Sequence, residues 1–129
     1  MIRLIVVDDS AADIDLLSIA VETLHPAVSV LPCLLSRDPV RFVSEHARPE
    51  DIVLIDLNMP GIDGFTVLAG LRSARPDLRR LAILSGSPNP ADRTRALALG
   101  AAEVLRKPDR FDQWPALMTR ILALAEPPY

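Results

Sequence analysis

Five short apolar runs divide the chain, and the segments between them have the residue spacing of amphipathic helices. The runs have the length of strands, and their alternation with helical segments predicts a strand–helix unit repeated five times. Parallel strands need crossover connections, and right-handed crossovers place helices on both faces of one sheet. The predicted strands are residues 2–7, 28–34, 52–55, 81–84 and 103–106.

The helical segments begin and end at recognisable signals. Asp38 and Asn89 each precede a proline, which is typical of an N-cap followed by the first helical residue. Gly100 stands where a helix would end, and Pro76 limits the third helix. The predicted helices are residues 11–24, 39–46, a third helix marked by Phe65, Leu68 and Leu71 after a loop at 61–64, then 90–99 and 112–125.

The bulk composition predicts one globular unit. Half of the 129 residues are hydrophobic, which suffices for a single core, so we expect one domain over residues 1–129, with a core of about 2–125 and no output domain. A net charge of −3 argues against nucleic-acid binding. The chain has one cysteine, Cys33, and no apolar stretch long enough for a signal peptide or membrane span, so a cytoplasmic location without membrane contact is expected.

Polar residues follow four of the five predicted strands. Asp8 and Asp9 follow the first, Asp56 the third, Ser85 the fourth and Lys107 the fifth. Ligands of such sheets bind at the carboxyl ends of the strands, so these side chains are expected to converge there. Three carboxylates brought together repel one another unless a cation shares the site, and oxygen ligands suit Mg²⁺. Taken singly, each residue is also an ordinary cap, turn or surface residue.

The segments VVDDS, LIDLNMPGIDG, ILSGS and VLRKP carry these residues, and together they resemble the signatures of response-regulator receiver domains. The resemblance extends from Ile2 to about Ala125. It implies an α/β, flavodoxin-like (βα)5 fold, a doubly wound parallel sheet of five strands in the order 2-1-3-4-5. It also implies a stand-alone, single-domain response regulator of two-component signalling, a phosphoacceptor switch without separate substrate turnover.

The same resemblance implies a role for each site residue. Asp56 would accept the phosphoryl group from a phosphohistidine of a sensor histidine kinase. Lys107 and Ser85 would assist, the lysine by its charge and the serine as the hydroxyl that senses the phosphoryl group. Mg²⁺ would be held by Asp8, Asp9, Asp56 and the backbone carbonyl of Asn58, and the backbone amides of Asn58 and Gly86 would bind the phosphoryl oxygens.

One position departs from the family pattern. The residue three before the lysine is usually a tyrosine or phenylalanine that moves inward during switching, and here it is Val104. This substitution predicts weaker coupling between the phosphorylation site and the surface near that residue. It is also the best support for an alternative function, a protein-interaction module that keeps the fold but works without phosphorylation.

Two features suggest partners. The last predicted helix has apolar residues almost all round, which favours a homodimer that covers it, although small apolar residues are also tolerated on surfaces. The segment SAADIDLL resembles the first helix of small receivers that pair with phytochrome-type histidine kinases. A downstream phosphotransfer protein is a further possible partner.

Two other classes fit the sequence less well. A haloacid-dehalogenase-like phosphatase also uses an aspartate and magnesium, but Asp8 and Asp9 are adjacent, whereas that chemistry needs a separated pair. Mononucleotide binding is disfavoured because neither a GxGxxG nor a GxxxxGK[ST] loop follows the first strand.

Overall fold

The computed structural model describes residues 2–34 and 38–125. Each predicted strand is present there, and the strands form one parallel sheet in the order β2-β1-β3-β4-β5, as expected. The apolar runs become buried strands because both sheet faces are covered by helices. The strands are β1 Arg3–Val7, β2 Ser29–Cys33, β3 Ile52–Asp56, β4 Leu81–Ser85 and β5 Glu103–Arg106.

Within the same residues, the helices follow the strands in the predicted alternation. The side chains of Asp38 and Asn89 cap two of them, each followed by a proline, and Gly100 adopts a φ of +100° just after the fourth. For these two helices the local signals in the sequence therefore predict the limits well. The helices are α1 Ala11–Leu24, α2 Pro39–His46, α3 Gly64–Ala74, α4 Pro90–Ala98 and α5 Trp114–Ala123.

Two segments differ from the sequence-based expectation. The segment around 61–64 is more ordered than a loop, because Asn58–Met59 pairs antiparallel with Ile62–Asp63 before α3 begins at Gly64. The last α-helix is shorter than residues 112–125, because a 3-10 turn, Phe111–Gln113, precedes it. Pro115 lacks an amide hydrogen and so fits only the first turn of a helix, which agrees with a start at Trp114.

Alternate residues of the strands supply two apolar layers, one on each face of the sheet. On one face, Val7, Ile55 and Ile83 pack with residues from α2, α3 and α4. On the other, Val6 and Leu54 pack with residues from α1 and α5. The two layers fix the strands, so the carboxyl ends of β1, β3, β4 and β5 stay adjacent.

The large apolar side chains of α5 are directed into the second layer. Trp114, Leu117, Met118 and Ile121 are buried, whereas the exposed α5 positions are small or polar side chains, namely Pro115, Ala116, Thr119, Arg120 and Ala123. Three of these exposed positions, Pro115, Ala116 and Ala123, are apolar but small, so the exposed surface of α5 is partly apolar without a large apolar side chain. The most exposed large apolar side chain nearby is Phe111, in the preceding turn.

No helix within residues 2–34 and 38–125 has both the length and the apolar character needed to cross a lipid bilayer.

Candidate functional site at the carboxyl edge of the sheet

Three carboxylates meet where β1 and β3 end. The two strands are neighbours in the sheet, with Val7 opposite Ile55, so the residues that follow them lie side by side. One carboxylate oxygen from each of Asp8, Asp9 and Asp56 lies within 4.8 Å of the others. Asp8 and Asp56 are buried, at 2% and 7% exposure, and Asp9 is more exposed. The predicted convergence of the three aspartates is confirmed.

Local hydrogen bonds orient the first of these side chains. The Ser10 backbone N–H donates to Asp8 Oδ1 at 2.9 Å, and the Asp8 N–H donates to the Cys33 carbonyl at 3.4 Å. Ser10 is also the N-cap of α1, since its hydroxyl accepts the N–H of Asp13 at 3.2 Å. The turn that starts α1 therefore also holds Asp8 at the strand end.

Backbone packing positions Asp56. A Cβ added at Gly64 would lie 2.6 Å from the Asp56 carbonyl oxygen and 2.9 Å from Leu57 Cα. Only a residue without a side chain allows the start of α3 to approach the end of β3 so closely. The Gly64 N–H also donates to the Leu57 carbonyl at 3.4 Å, which closes the segment that follows Asp56.

Lys107 brings a positive charge to the three aspartates, and it is the only lysine of the chain. Its Nζ lies 3.0 Å from Asp8 Oδ2 and 3.6 Å from Asp56 Oδ2. A third carboxylate, Asp13 Oδ2, lies 2.9 Å away. Burial lowers the pKa of the Lys107 ammonium, but the hydrogen bonds to Asp13 and Asp8 and the charge of Asp56 raise that pKa well above its usual range. Lys107 is therefore a fixed cation at neutral pH.

Asp13 is the contact that sequence reasoning missed. It belongs to the first turn of α1, and Lys107 lies 94 residues later in the chain. The one available signal was its place in the first helical turn after the aspartate pair, which puts it near the same sheet edge. An acidic residue there is also common for reasons of helix stability alone.

Ser85 ends β4, the strand beside β3, and it is completely buried. Its hydroxyl accepts the Ser87 N–H at 3.3 Å, and its carbonyl accepts the Lys107 N–H at 2.7 Å. The second bond ties the ends of β4 and β5 together. Gly86 follows in open space, since a Cβ added there would meet no atom within 4 Å.

Asn58 lies two residues after Asp56 and pairs with Asp63 in the short antiparallel ladder. All the residues predicted for the site, Asp8, Asp9, Asp56, Asn58, Ser85, Gly86 and Lys107, lie at or just beyond the same edge of the sheet.

Comparison with known families agrees with this arrangement. The family model described as response regulator receiver domain matches residues 4–119. The chain belongs to the response regulator receiver domain family. Receiver domains of two-component systems act in phosphoacceptor signalling, together with histidine kinases and downstream partners.

Relatives of this receiver domain include much longer proteins. Protein-glutamate methylesterase/protein-glutamine glutaminase 6 of Anaeromyxobacter dehalogenans is 38% identical over 110 residues, which are 84% of this chain and 30% of that protein. The chain thus spans less than a third of the length of this curated relative. That name refers to the full-length relative, of which the matched region is 30%.

Solved receiver structures have the same fold. The response regulator domain of Thermotoga maritima CheB superposes with a TM-score of 0.79 at 23% identity, over 97% of this chain and 96% of that one. The phosphorylated cyanobacterial phytochrome response regulator RcpA superposes with a TM-score of 0.73 at 26% identity, over 92% and 89% of the two chains.

Val104, the departure from the family pattern, lies in β5 and is 6% exposed. It belongs to the same apolar layer as Met59, Phe65 and Ala96. The guanidinium of Arg95 lies 4.2 Å from the centroid of the Phe65 ring, so α3 and α4 are also joined by a cation–π contact. The position is therefore a packed part of the core in this receiver domain.

Proposed function

We propose that this receiver domain accepts a phosphoryl group on Asp56 from a sensor histidine kinase, in a Mg²⁺-dependent reaction, and signals through altered contacts with other proteins. The observation that carries the proposal is the cluster of Asp8, Asp9 and Asp56 within 4.8 Å beside Lys107. One ammonium cannot neutralise three carboxylates. Among the described residues, the carboxylates of this cluster outnumber the single ammonium beside them, and a site for a cation accounts for that excess of negative charge.

The donor set fits a hard divalent cation, because all its side-chain ligands are carboxylate oxygens. Asp8, Asp9, Asp56 and the backbone carbonyl of Asn58 would hold Mg²⁺. When bound, the ion would supply positive charge to the anionic oxygens of the phosphoryl group.

Phosphoryl transfer depends more on the positions and charges of the surrounding groups than on covalent assistance. An Asp56 carboxylate oxygen forms a bond to phosphorus while the P–N bond to the kinase histidine breaks, and that electron pair stays on the imidazole nitrogen. Lys107 stands beside Asp56 to balance the phosphoryl charge, and the backbone amides of Asn58 and Gly86 donate hydrogen bonds to it. The Ser85 hydroxyl, which accepts the Ser87 N–H, is the group that turns to the phosphoryl oxygens.

The proposed setting is cytoplasmic, with phosphotransfer and dephosphorylation at Asp56 and no turnover of a separate substrate. A phytochrome-type histidine kinase is the proposed phosphodonor, supported by the SAADIDLL segment of α1 and by the 26% identity to RcpA. A downstream phosphotransfer protein would receive the signal or the phosphoryl group.

Homodimerisation through α5 stays a prediction. Most large apolar side chains of α5 are buried, and Leu122 is partly buried. The contact would therefore rest on exposed Ala116, Ala123 and Arg120 and on Phe111, which is 55% exposed. Sedimentation with and without phosphorylation tests it, and a monomer at high micromolar concentration under both conditions would remove it.

Mass spectrometry of the intact protein after incubation with acetyl phosphate and Mg²⁺ tests the proposed function. The wild type is expected to gain the mass of one phosphoryl group, and Asp56→Asn is expected to gain none. Asp15→Asn removes a carboxylate from an exposed position of α1 and is expected to behave as the wild type. Absence of phosphate on the wild type, or its presence on Asp56→Asn, would contradict the proposal.

The second candidate, an interaction module that works without phosphorylation, is favoured by Val104, since the usual aromatic side chain is missing. Beryllofluoride with Mg²⁺ separates the two candidates. Binding to the wild type and not to Asp56→Asn supports the phosphoacceptor, whereas no binding to the wild type supports the inert module.

A further inference from the structure

A fourth carboxylate lies at the edge of the site without belonging to the cation cluster. Asp13 Oδ2 is 2.9 Å from Lys107 Nζ, yet the group of carboxylate oxygens within 4.8 Å of one another comprises Asp8, Asp9 and Asp56. The Asp13 side chain is 40% exposed. Asp13 lies in the first turn of α1, where the Ser10 cap accepts its backbone N–H. Its contact is therefore with the lysine.

The arrangement of donors shows what Asp13 contributes. An ammonium group has three N–H donors, and those of Lys107 lie near three carboxylates, Asp8 at 3.0 Å, Asp13 at 2.9 Å and Asp56 at 3.6 Å. Mg²⁺ held by Asp8 and Asp56 would compete with Lys107 for their oxygens and would also repel the ammonium. Asp13 is the contact for which that cation does not compete.

We propose that Asp13 is a positioning residue for Lys107: its carboxylate holds the ammonium from outside the cation cluster, so that Mg²⁺ can enter while Lys107 stays beside Asp56. The proposal rests on the phosphoacceptor function given above. Without Asp13, Lys107 pairs more closely with Asp8 and Asp56, which competes with Mg²⁺, and its position beside the phosphoryl group is less well defined.

If Asp13 only stabilised α1, its effect would not depend on Lys107. An acidic side chain in the first turn of α1 stabilises the helix through its dipole, whatever Lys107 does. Asp15 provides a matched comparison, because it is an exposed aspartate on the same helix, two residues further on. Neither a hydrogen bond nor an ion pair of its side chain is found within the described residues.

The first test measures Mg²⁺ affinity alone, by calorimetry, in folded variants. Asp13→Ala is expected to weaken Mg²⁺ binding by about fivefold, a size typical of one partly exposed ion pair, and Asp15→Ala by less than about twofold. In a Lys107→Met background, Asp13→Ala is expected to change the affinity by less than about twofold, because its effect acts through the lysine. Asp13→Glu keeps the charge and is expected to restore binding to within about twofold of the wild type.

The second test measures phosphorylation from acetyl phosphate at saturating Mg²⁺. Asp13→Ala is expected to lower the rate constant about fivefold, while Asp15→Ala and Asp13→Glu stay within about twofold of the wild type. An equal loss of Mg²⁺ affinity with and without Lys107, or equal behaviour of the two alanine variants, would overturn the positioning role. If the wild type binds Mg²⁺ with the expected coupling but takes no phosphate, the proposed function fails and the Asp13–Lys107 coupling stands.

Discussion

An aspartate is buried beside a cationic side chain at each end of strand β3. At one end the two charges balance, and at the other the carboxylates are in excess. Asp51 precedes the strand and is 2% exposed. Its Oδ2 accepts from Arg3 Nε at 3.1 Å, Arg3 Nη2 at 2.7 Å and the Arg48 backbone N–H at 2.9 Å. One negative charge thus meets one positive charge with hydrogen bonds, as a structural ion pair requires.

Asp56 ends the same strand, and among the described residues the carboxylates there outnumber the lysine beside them. Asp8, Asp9 and Asp56 share a space of 4.8 Å, and Lys107 is divided between two of them and Asp13. A buried carboxylate is therefore by itself no sign of function. The excess of negative charge distinguishes the carboxyl edge of the sheet, because a bound cation can balance it and can also balance the charge of a phosphoryl group.

The largest expected effect is a loss of stability at the Asp51 end of β3, where the charges are paired. Arg3→Met leaves Asp51 buried without its counter-ion, so the free energy of unfolding should fall by about 3 kcal/mol. Urea denaturation measures it. Arg79→Met removes an exposed arginine and should change stability by less than about 0.5 kcal/mol. A loss for Arg3→Met as small as that of the control would mean that the two ends of β3 do not differ in this way.

A smaller loss is expected where backbone packing, and not charge, holds the carboxyl edge. Gly64→Ala forces a Cβ to within 2.6 Å of the Asp56 carbonyl oxygen, which should cost about 2 kcal/mol. Gly86→Ala, with open space at its Cβ, should cost less than about 0.5 kcal/mol. Equal denaturation midpoints for the two variants would show that the close approach at Gly64 has no energetic weight.

At the Asp56 end of β3, removal of a charge is expected to raise the free energy of unfolding and not to lower it. Without Mg²⁺, Asp9→Asn relieves repulsion among the three carboxylates and should raise the free energy of unfolding by about 0.5 to 1 kcal/mol. Mg²⁺ should then stabilise the wild type more than the variant, because binding to the folded state shifts unfolding. Thermal unfolding with and without Mg²⁺ measures both effects. Destabilisation by Asp9→Asn in the absence of Mg²⁺ would contradict the repulsion argument.

The smallest effect concerns pH. Burial lowers the pKa of Lys107, but its hydrogen bonds to Asp13 and Asp8 raise it more, so the folded pKa lies above the ordinary 10.5. The stability that comes from this raised pKa is fully present below 10.5 and declines only as the pH rises through the folded pKa. Because the chain has one lysine, ¹³C-lysine NMR gives a single titration, whose midpoint should lie above 10.5. A midpoint below that value would show that the carboxylates do not hold the proton.

Most of the fold could be predicted because its signals are local. The apolar runs gave the strands, and the Asp38–Pro39 and Asn89–Pro90 pairs gave the starts of two helices. The pairing of Asn58–Met59 with Ile62–Asp63 was missed because a ladder of two residues has no periodicity to detect. The apolar character expected on the surface of α5 comes from Ala116 and Ala123, whose small side chains leave no large patch.

The sequence by itself determined which residues stand at the strand ends, since the order of strands and helices places Asp8, Asp9, Asp56, Ser85 and Lys107 at one edge. The tertiary structure alone decided how the charges are shared there. Lys107 lies 94 residues from Asp13, and their contact depends on how α1, which packs against α5, meets the residue that follows β5. No pattern along the chain encodes a contact of that range, because it follows from the packing of helices on a twisted sheet.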